Sequence, residues 1–145
     1  MKLTIITPER TVFEDDVIQV TLPTMDGEIT VLAHHVPLVG ILKPGELLIK
    51  KEGEEIPLAV SGGMIQVYQN SVTVLAETAE RVEEIIEERA EEARRRAEQI
   101  LAEKKFDATE YATIAAKMEK ELARLKVKRK WSHRMHGGGV PPSDI

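Results

Sequence analysis

The residues able to do chemistry are few, and none of them forms a catalytic set. His34-His35 are adjacent, and histidine can ligate a metal or move a proton. Adjacent residues on an extended strand point to opposite faces, so they share one ion poorly, and no Asp/Glu/His pattern flanks them. They read as structural or interface residues. His133 and His136, near the C-terminal end, read as solvated. Ser61-Gly62-Gly63 has the small residues of a nucleophile turn or a phosphate loop, but it lacks the surrounding pattern of either. It reads as a turn that needs a positive φ. Asp15-Asp16 and Glu54-Glu55 read as turn and loop charge, not as a general acid–base pair. Arg94-Arg95-Arg96 and the basic run from Lys126 to Lys130 have the charge to hold nucleic acid. Trp131 is the only aromatic beside them and the chain as a whole is acidic, so a solvated face or an acidic protein partner is the better reading. Cysteine is absent, which removes disulfides, thiolate zinc ligands and a thiol nucleophile. The expectation is a non-catalytic chain with no metal and no nucleic-acid partner.

Composition sets the frame for whatever positions these residues. Hydrophobic residues make up 42% of the 145, but aromatics only 3%, so the core must be built from Val, Ile, Leu and Ala. No run approaches the roughly 20 apolar residues that span a bilayer, and the stretch from Met1 to Pro8 is too short for a signal peptide. A cytosolic, soluble chain is expected. The net charge of −5 is unevenly spread. Residues 1–80 carry 5 Lys/Arg against 12 Asp/Glu, whereas residues 111–134 carry 8 against 2. An acidic front and a basic rear helix imply two working surfaces.

Proline and glycine divide the chain. Five of the seven prolines precede residue 58, six of the nine glycines precede residue 64, and neither type occurs from Met64 to His136. Residues 1–80 read as short strands: around Leu3 and Ile5, around Val12, over 17–22, after the Asp26-Gly27 turn at 29–32, then 47–49, 56–60, 64–68 and 72–75. The segment 50–55 reads as a charged loop. Strands at this spacing suggest a β-sandwich or flattened barrel. Residues 81–134 read as two helices. Val82, Ile86, Ala90, Ala93, Ala97, Ile100 and Leu101 form one apolar stripe. Tyr111, Ala115, Met118, Leu122 and Leu125 form the other. Phe106-Asp107-Ala108-Thr109-Glu110 between them carries a capping box. The short connection makes the helices an antiparallel hairpin with a narrow, alanine-rich seam. Residues 135–145, rich in Gly and Pro, read as a flexible tail. The fold class is thus α+β, a sandwich followed by a two-helix hairpin.

These residues also carry a resemblance. Lys2-Leu3-Thr4-Ile5-Ile6-Thr7-Pro8-Glu9 with Val12-Phe13, Gly27-Glu28-Ile29-Thr30-Val31-Leu32, His35-Val36-Pro37-Leu38 and Leu42-Lys43-Pro44-Gly45 follow one another. Val60-Ser61-Gly62-Gly63 and the stretch from Val72 to Glu80 come next. In that order and spacing, the chain resembles the epsilon subunit of bacterial F-type ATP synthases over roughly residues 2–130. The resemblance implies a sandwich of about ten strands and a non-catalytic place in the rotating central stalk. It implies coupling of rotation between gamma and the proton-driven c-ring, with the catalytic sites on the alpha and beta subunits. His35, Pro37, Leu38 and Leu42 would lie at the gamma or c-ring interface. The hairpin would fold against the sandwich or extend along gamma, the extended form impeding ATP hydrolysis. Arg124, Lys126, Lys128 and Arg129 would meet an acidic loop of the catalytic subunits. The membrane would be reached only through the complex, at the cytoplasmic face of the bacterial plasma membrane. A stand-alone binding module that pairs through its hairpin is the alternative.

Some members of that family hold a regulatory ATP in the folded hairpin. Their signature, Ile or Leu, then Asp, two variable residues and Arg-Ala, aligns with Ile85-Ile86-Glu87-Glu88-Arg89-Ala90. Ile85, Arg89 and Ala90 match, Arg96 matches a second arginine, and Lys120 and Arg124 supply further cations. The Asp position is Ile86, which replaces a carboxylate with apolar surface. The arginines equally suit i,i+4 pairing with Glu88, Glu91 and Glu92.

Overall fold

The structure, a computed structural model, describes residues 1–103 and 107–137, and the chain divides into two units at Arg81/Val82. The first unit is a ten-stranded sheet. Its strands are β1 (Lys2–Ile6), β2 (Thr11–Asp16), β3 (Gln19–Thr24), β4 (Gly27–Leu32), β5 (Leu38–Leu42), β6 (Gly45–Lys51), β7 (Glu54–Val60), β8 (Gly63–Tyr68), β9 (Ser71–Ala76) and β10 (Ala79–Arg81). The order is β10-β7-β6-β3-β5-β8-β9-β1-β2, with β4 also on β3. Neighbours are antiparallel except β1 and β9, which run parallel from Lys2/Ser71 to Ile6/Leu75.

Alternation decides which face each strand buries, because successive side chains point to opposite sides. Leu3 and Ile5 of β1, Val20 and Leu22 of β3, Leu47 and Ile49 of β6, Ile65 and Val67 of β8, and Val72 and Val74 of β9 share one core cluster. One cluster gathering strands from both ends of the order means that the sheet curls on itself, as a sandwich must. Ile, Leu and Val dominate that core, as the low aromatic content requires.

Two strands were not legible as strands. β5 lies in a stretch that reads as a loop, and β10 in the approach to the helices. The expected 50–55 loop is shorter than it looks: β6 runs to Lys51, β7 starts at Glu54, and Gly53 takes φ +72° in the turn. Gly27 takes φ +113° in the expected hairpin between β3 and β4.

Ser61-Gly62-Gly63 is a correction. Neither glycine is among those with a positive φ. Ser61 is buried; its hydroxyl lies 2.6 Å from the Thr78 hydroxyl and accepts the Thr78 amide at 3.1 Å. Gly63 is required by space: a Cβ there would sit 1.9 Å from the Leu75 carbonyl oxygen and 2.9 Å from the Ala76 Cα.

The second unit begins with a 3-10 turn, Val82–Glu84, followed by α1 (Glu87–Glu103) and α2 (Ala108–Gly137). The α1 stripe differs from expectation at its start. A 3-10 turn aligns residues i and i+3, so Val82 and Ile85 are both buried and Ile86 turns outward, 47% exposed. On α2, Tyr111 and Leu122 are exposed, while Glu121, Ala123, Leu125, Val127 and Trp131 are buried. Leu125 and Val127, about 200° apart around the helix, are both buried, so burial in this part of α2 does not follow a single stripe. The Asp107 carboxylate accepts the Glu110 amide at 2.8 Å and caps α2 as expected. Phe106 and residues 138–145 of the expected tail lie outside the described residues.

The two glycines should behave differently. Gly63→Ala forces the β8–β9 pairing apart and should cost on the order of 2–3 kcal/mol. Gly62→Ala meets nothing nearer than 3.8 Å and should be nearly neutral. Urea midpoints of the two variants measure the contrast; equal midpoints would refute the steric account.

Candidate functional site

The first candidate surface is the connection from β4 to β5. His34 takes φ +64° just after β4, and its amide donates to the Asn70 side-chain oxygen at 2.9 Å. Asn70, at φ +59°, sits in the turn between β8 and β9, so the two loops are stitched together. The His35 amide donates to the Leu32 carbonyl, which closes the turn. The two histidines are therefore turn residues, not strand residues, and no metal-binding cluster exists among the described residues.

His35 and Leu38 are half-buried, and Pro37 is exposed. Leu42 is a correction: at 1% exposed it belongs to the core and offers no surface. Because β5 alternates, its outward residues are Val39 and Ile41. The register places Ile41 opposite Met64 and Met64 opposite Leu75, and all three are exposed. This apolar row was missed in the sequence; reading 38–42 as a strand would have found it.

The second candidate surface is the charge on the hairpin. Within α1, Glu91 pairs with Arg94, and also with Arg95 at 3.5 Å. Arg94 also reaches Glu98 at 2.5 Å. Across the hairpin, the Arg129 guanidinium donates to Glu87 at 2.7 Å and to Glu91 at 3.1 Å. Hydrogen bonding, chiefly from Arg94, holds the Glu91 carboxyl below the ordinary carboxylate range, while the Glu87 contact raises Arg129 further. Lys128 donates to the Val82 carbonyl at 3.0 Å, and Arg124 donates to Glu121 at 2.7 Å. Of the four cations expected to meet an acidic partner, Arg124, Lys128 and Arg129 are thus engaged within this unit, and Lys126 is exposed.

The residues aligned with the nucleotide signature have other roles here. Ile85 and Ala90 are buried. Ile86 occupies the N-cap of α1, its carbonyl accepting the Ala90 amide, and it has no side-chain oxygen to cap with. Arg89 is exposed, Arg96 lies 3.8 Å from Glu92, Lys120 is half-buried, and Arg124 is held by Glu121. A cavity of about 480 Å³ in this unit is lined by Glu87, Glu88, Glu91, Glu92, Arg95 and Arg129. Four carboxylates against two guanidiniums repel a polyphosphate. Isothermal titration of the chain with ATP should show no saturable binding below roughly 1 mM. Ile86→Asp should stabilise α1 by about 1 kcal/mol through the cap it restores. Binding that is lost in Arg89→Ala would overturn the first expectation, and an unchanged melting midpoint the second.

Comparison with known proteins agrees with this architecture. The family model for the β-sandwich domain of the ATP synthase delta/epsilon chain matches residues 1–82, and that for its long α-helix domain matches residues 83–129. The ATP synthase epsilon chain of Chloroflexus aggregans is 47% identical over 86% of this chain and 89% of its own length. That of Dehalococcoides mccartyi is 44% identical over 90% and 93%. A chain in the cryo-EM structure of the Euglena gracilis mitochondrial ATP synthase (OSCP/F1/c-ring, rotational state 1) superposes with a TM-score of 0.65. It is 25% identical, with 92% of this chain and 80% of that one covered. A chain in the Tetrahymena thermophila mitochondrial central stalk/c-ring structure shares the fold, with a TM-score of 0.58 at 15% identity over 88% and 96%. Since the two family models together run from residue 1 to residue 129 in the order in which the two units are built, the chain belongs to the ATP synthase delta/epsilon chain family.

Proposed function

We propose that this chain is the non-catalytic epsilon-type subunit of a rotary, proton-translocating ATP synthase. It sits in the central stalk on the cytoplasmic face of a bacterial plasma membrane. The matching of both units to the two domains of the delta/epsilon chain carries this reading. The β unit (residues 1–81) binds gamma and the c-ring through the 33–41 segment. Val39 and Ile41 supply the apolar contact, and His35 and Pro37 shape the approach. The hairpin restrains ATP hydrolysis by presenting Arg124, Lys126, Lys128 and Arg129 to acidic surface on the catalytic subunits. An exposed apolar row beside a polar rim is the usual make-up of a protein interface. A basic helix suits a partner whose attraction falls as salt rises.

Affinity capture from cells should recover gamma and the catalytic subunits; their absence would leave the chain a stand-alone binding module. The chain has no cysteine, so single engineered ones are unambiguous. In the assembled complex, Pro37→Cys and Val39→Cys should crosslink to gamma or c, while Leu42→Cys should not. Failure of the first two would remove the interface.

Deleting residues 82–145 leaves β10 paired with β7 through Arg81 and Leu58. The shortened subunit should still assemble and should raise ATP hydrolysis several-fold. Hydrolysis unchanged by the deletion would remove the inhibitory role.

A further inference from the structure

The segment from Ala33 to Pro37 joins β4 to β5 without ladder partners of its own. Two of its hydrogen bonds stay local. The His35 amide donates to the Leu32 carbonyl, and His35 Nδ1 lies 2.7 Å from the Val36 carbonyl oxygen. Among the described residues, the bond that leaves the segment is the one from the His34 amide to Asn70 Oδ1, at 2.9 Å and 36 positions away in sequence. Asn70 is itself held. Gln69 and Asn70 take φ +46° and +59° between Tyr68 and Ser71, which pair across β8 and β9. Two positive φ values in a two-residue connection are the mark of a type I′ turn, whose twist suits the strands it joins. The Asn70 carbonyl also accepts the Lys2 amide at 3.2 Å, which ties the turn to β1. His34 is the loose partner. It stays at φ +64°, a conformation that a residue with a Cβ keeps only where its surroundings hold it.

We propose that Asn70, although outside the 33–41 segment, positions that segment for its partner. The inference rests on the interface reading above. The β8–β9 turn lends its order to the loop. With the His34 amide engaged, the chain between Leu32 and Leu38 has fewer conformations to lose on docking. Ordering a loop at an interface costs free energy at the moment of binding, and a contact made beforehand removes part of that cost. The exposed Val36 and Pro37 follow directly on the clamped turn, and Val39 and Ile41 continue the surface along β5. Asparagine suits the position twice. It tolerates the left-handed backbone, and its side-chain oxygen accepts from a main-chain amide. Glycine would supply the first property alone, and aspartate both.

Three full-length variants test this. Asn70→Gly keeps the turn and deletes the acceptor. Asn70→Asp keeps both. Gln69→Gly adds the same backbone freedom one residue earlier, at an exposed side chain, and leaves the acceptor in place. In the free chain, exchange of the His34 amide, followed by NMR, should quicken about two- to tenfold in Asn70→Gly, the range for one hydrogen bond. It should stay near the parent rate in Asn70→Asp and Gln69→Gly. Rebinding to an ATP synthase complex stripped of this chain should need about two- to tenfold more Asn70→Gly for half-saturation. Asn70→Asp should restore the parent value, and that rescue separates positioning from a general loosening of the fold. Equal exchange in Asn70→Gly and Gln69→Gly would overturn the clamp. Faster exchange with unchanged rebinding, while Val39→Cys still crosslinks to gamma or c, would overturn the positioning role alone. Weaker rebinding that Asn70→Asp fails to restore would overturn it too. If Val39→Cys finds no partner with Asn70 intact, the interface reading falls and the positioning role with it.

Discussion

Everything in the first unit depends on one constraint: each strand has a single inward face, and those faces must close around one another. With almost no aromatic bulk available, the core is filled by branched aliphatic side chains at alternate positions, including Leu3, Ile5, Val20, Leu22, Leu47, Ile49, Ile65 and Val74. Such side chains fill space only when the strands lie close. Gly63 lets β8 and β9 approach without a Cβ in the way. The parallel β1–β9 pairing then brings the N-terminal strand to the last full strand of the unit. The same alternation turns Val39, Ile41, Met64 and Leu75 outward, so the apolar surface row is a by-product of the register that builds the core.

The second unit obeys a different balance. Its α1 seam is small alanine side chains, and its surface is dense with charge. The larger buried apolar side chains of this unit, Val82, Ile85, Leu125, Val127 and Trp131, lie in the lead-in turn and on α2. The bridges from Arg129 and Lys128 add directional contacts, and they lie at the N-terminal end of α1, beside the turn that leads in from the β unit. Exposed ion pairs are weak singly and respond to salt and to competing charge. A contact of that kind suits the mobile hairpin that the proposed inhibition requires.

Much of this could be read from residue order alone. The Pro/Gly-rich front and uninterrupted rear separate strands from helices, and the Asp26-Gly27 and Asp107 signals mark a hairpin and a cap where the structure has them. The errors share a physical cause, which is that local pattern does not say what lies across the sheet or the turn. Gly62-Gly63 looks like a positive-φ turn, but the need for Gly63 comes from a carbonyl on β9. Leu42 stands beside surface residues in sequence and faces the core by parity. Ile86 follows helical spacing from Val82, yet a 3-10 turn shifts the phase and hands burial to Ile85. The Arg129 fork was invisible because its acceptors lie on another helix, some forty residues away.

The pairing of a tightly closed β unit with a loosely held hairpin has a thermodynamic sense. Elements that move must open at a free energy well below that of global unfolding. A hairpin sealed by large apolar residues would be as stable as the sheet and could not rearrange without unfolding the rest. The Arg129 fork adds to the burial of Leu125, Val127 and Trp131 on α2. Under the proposed inhibition the hairpin would need two states close in free energy, and alanine on the inward face of α1 is consistent with that. A few kcal/mol is the range in which a partner's charge can reverse the balance. The division at Arg81/Val82 separates a unit closed by branched aliphatic side chains from one whose α1 buries alanine.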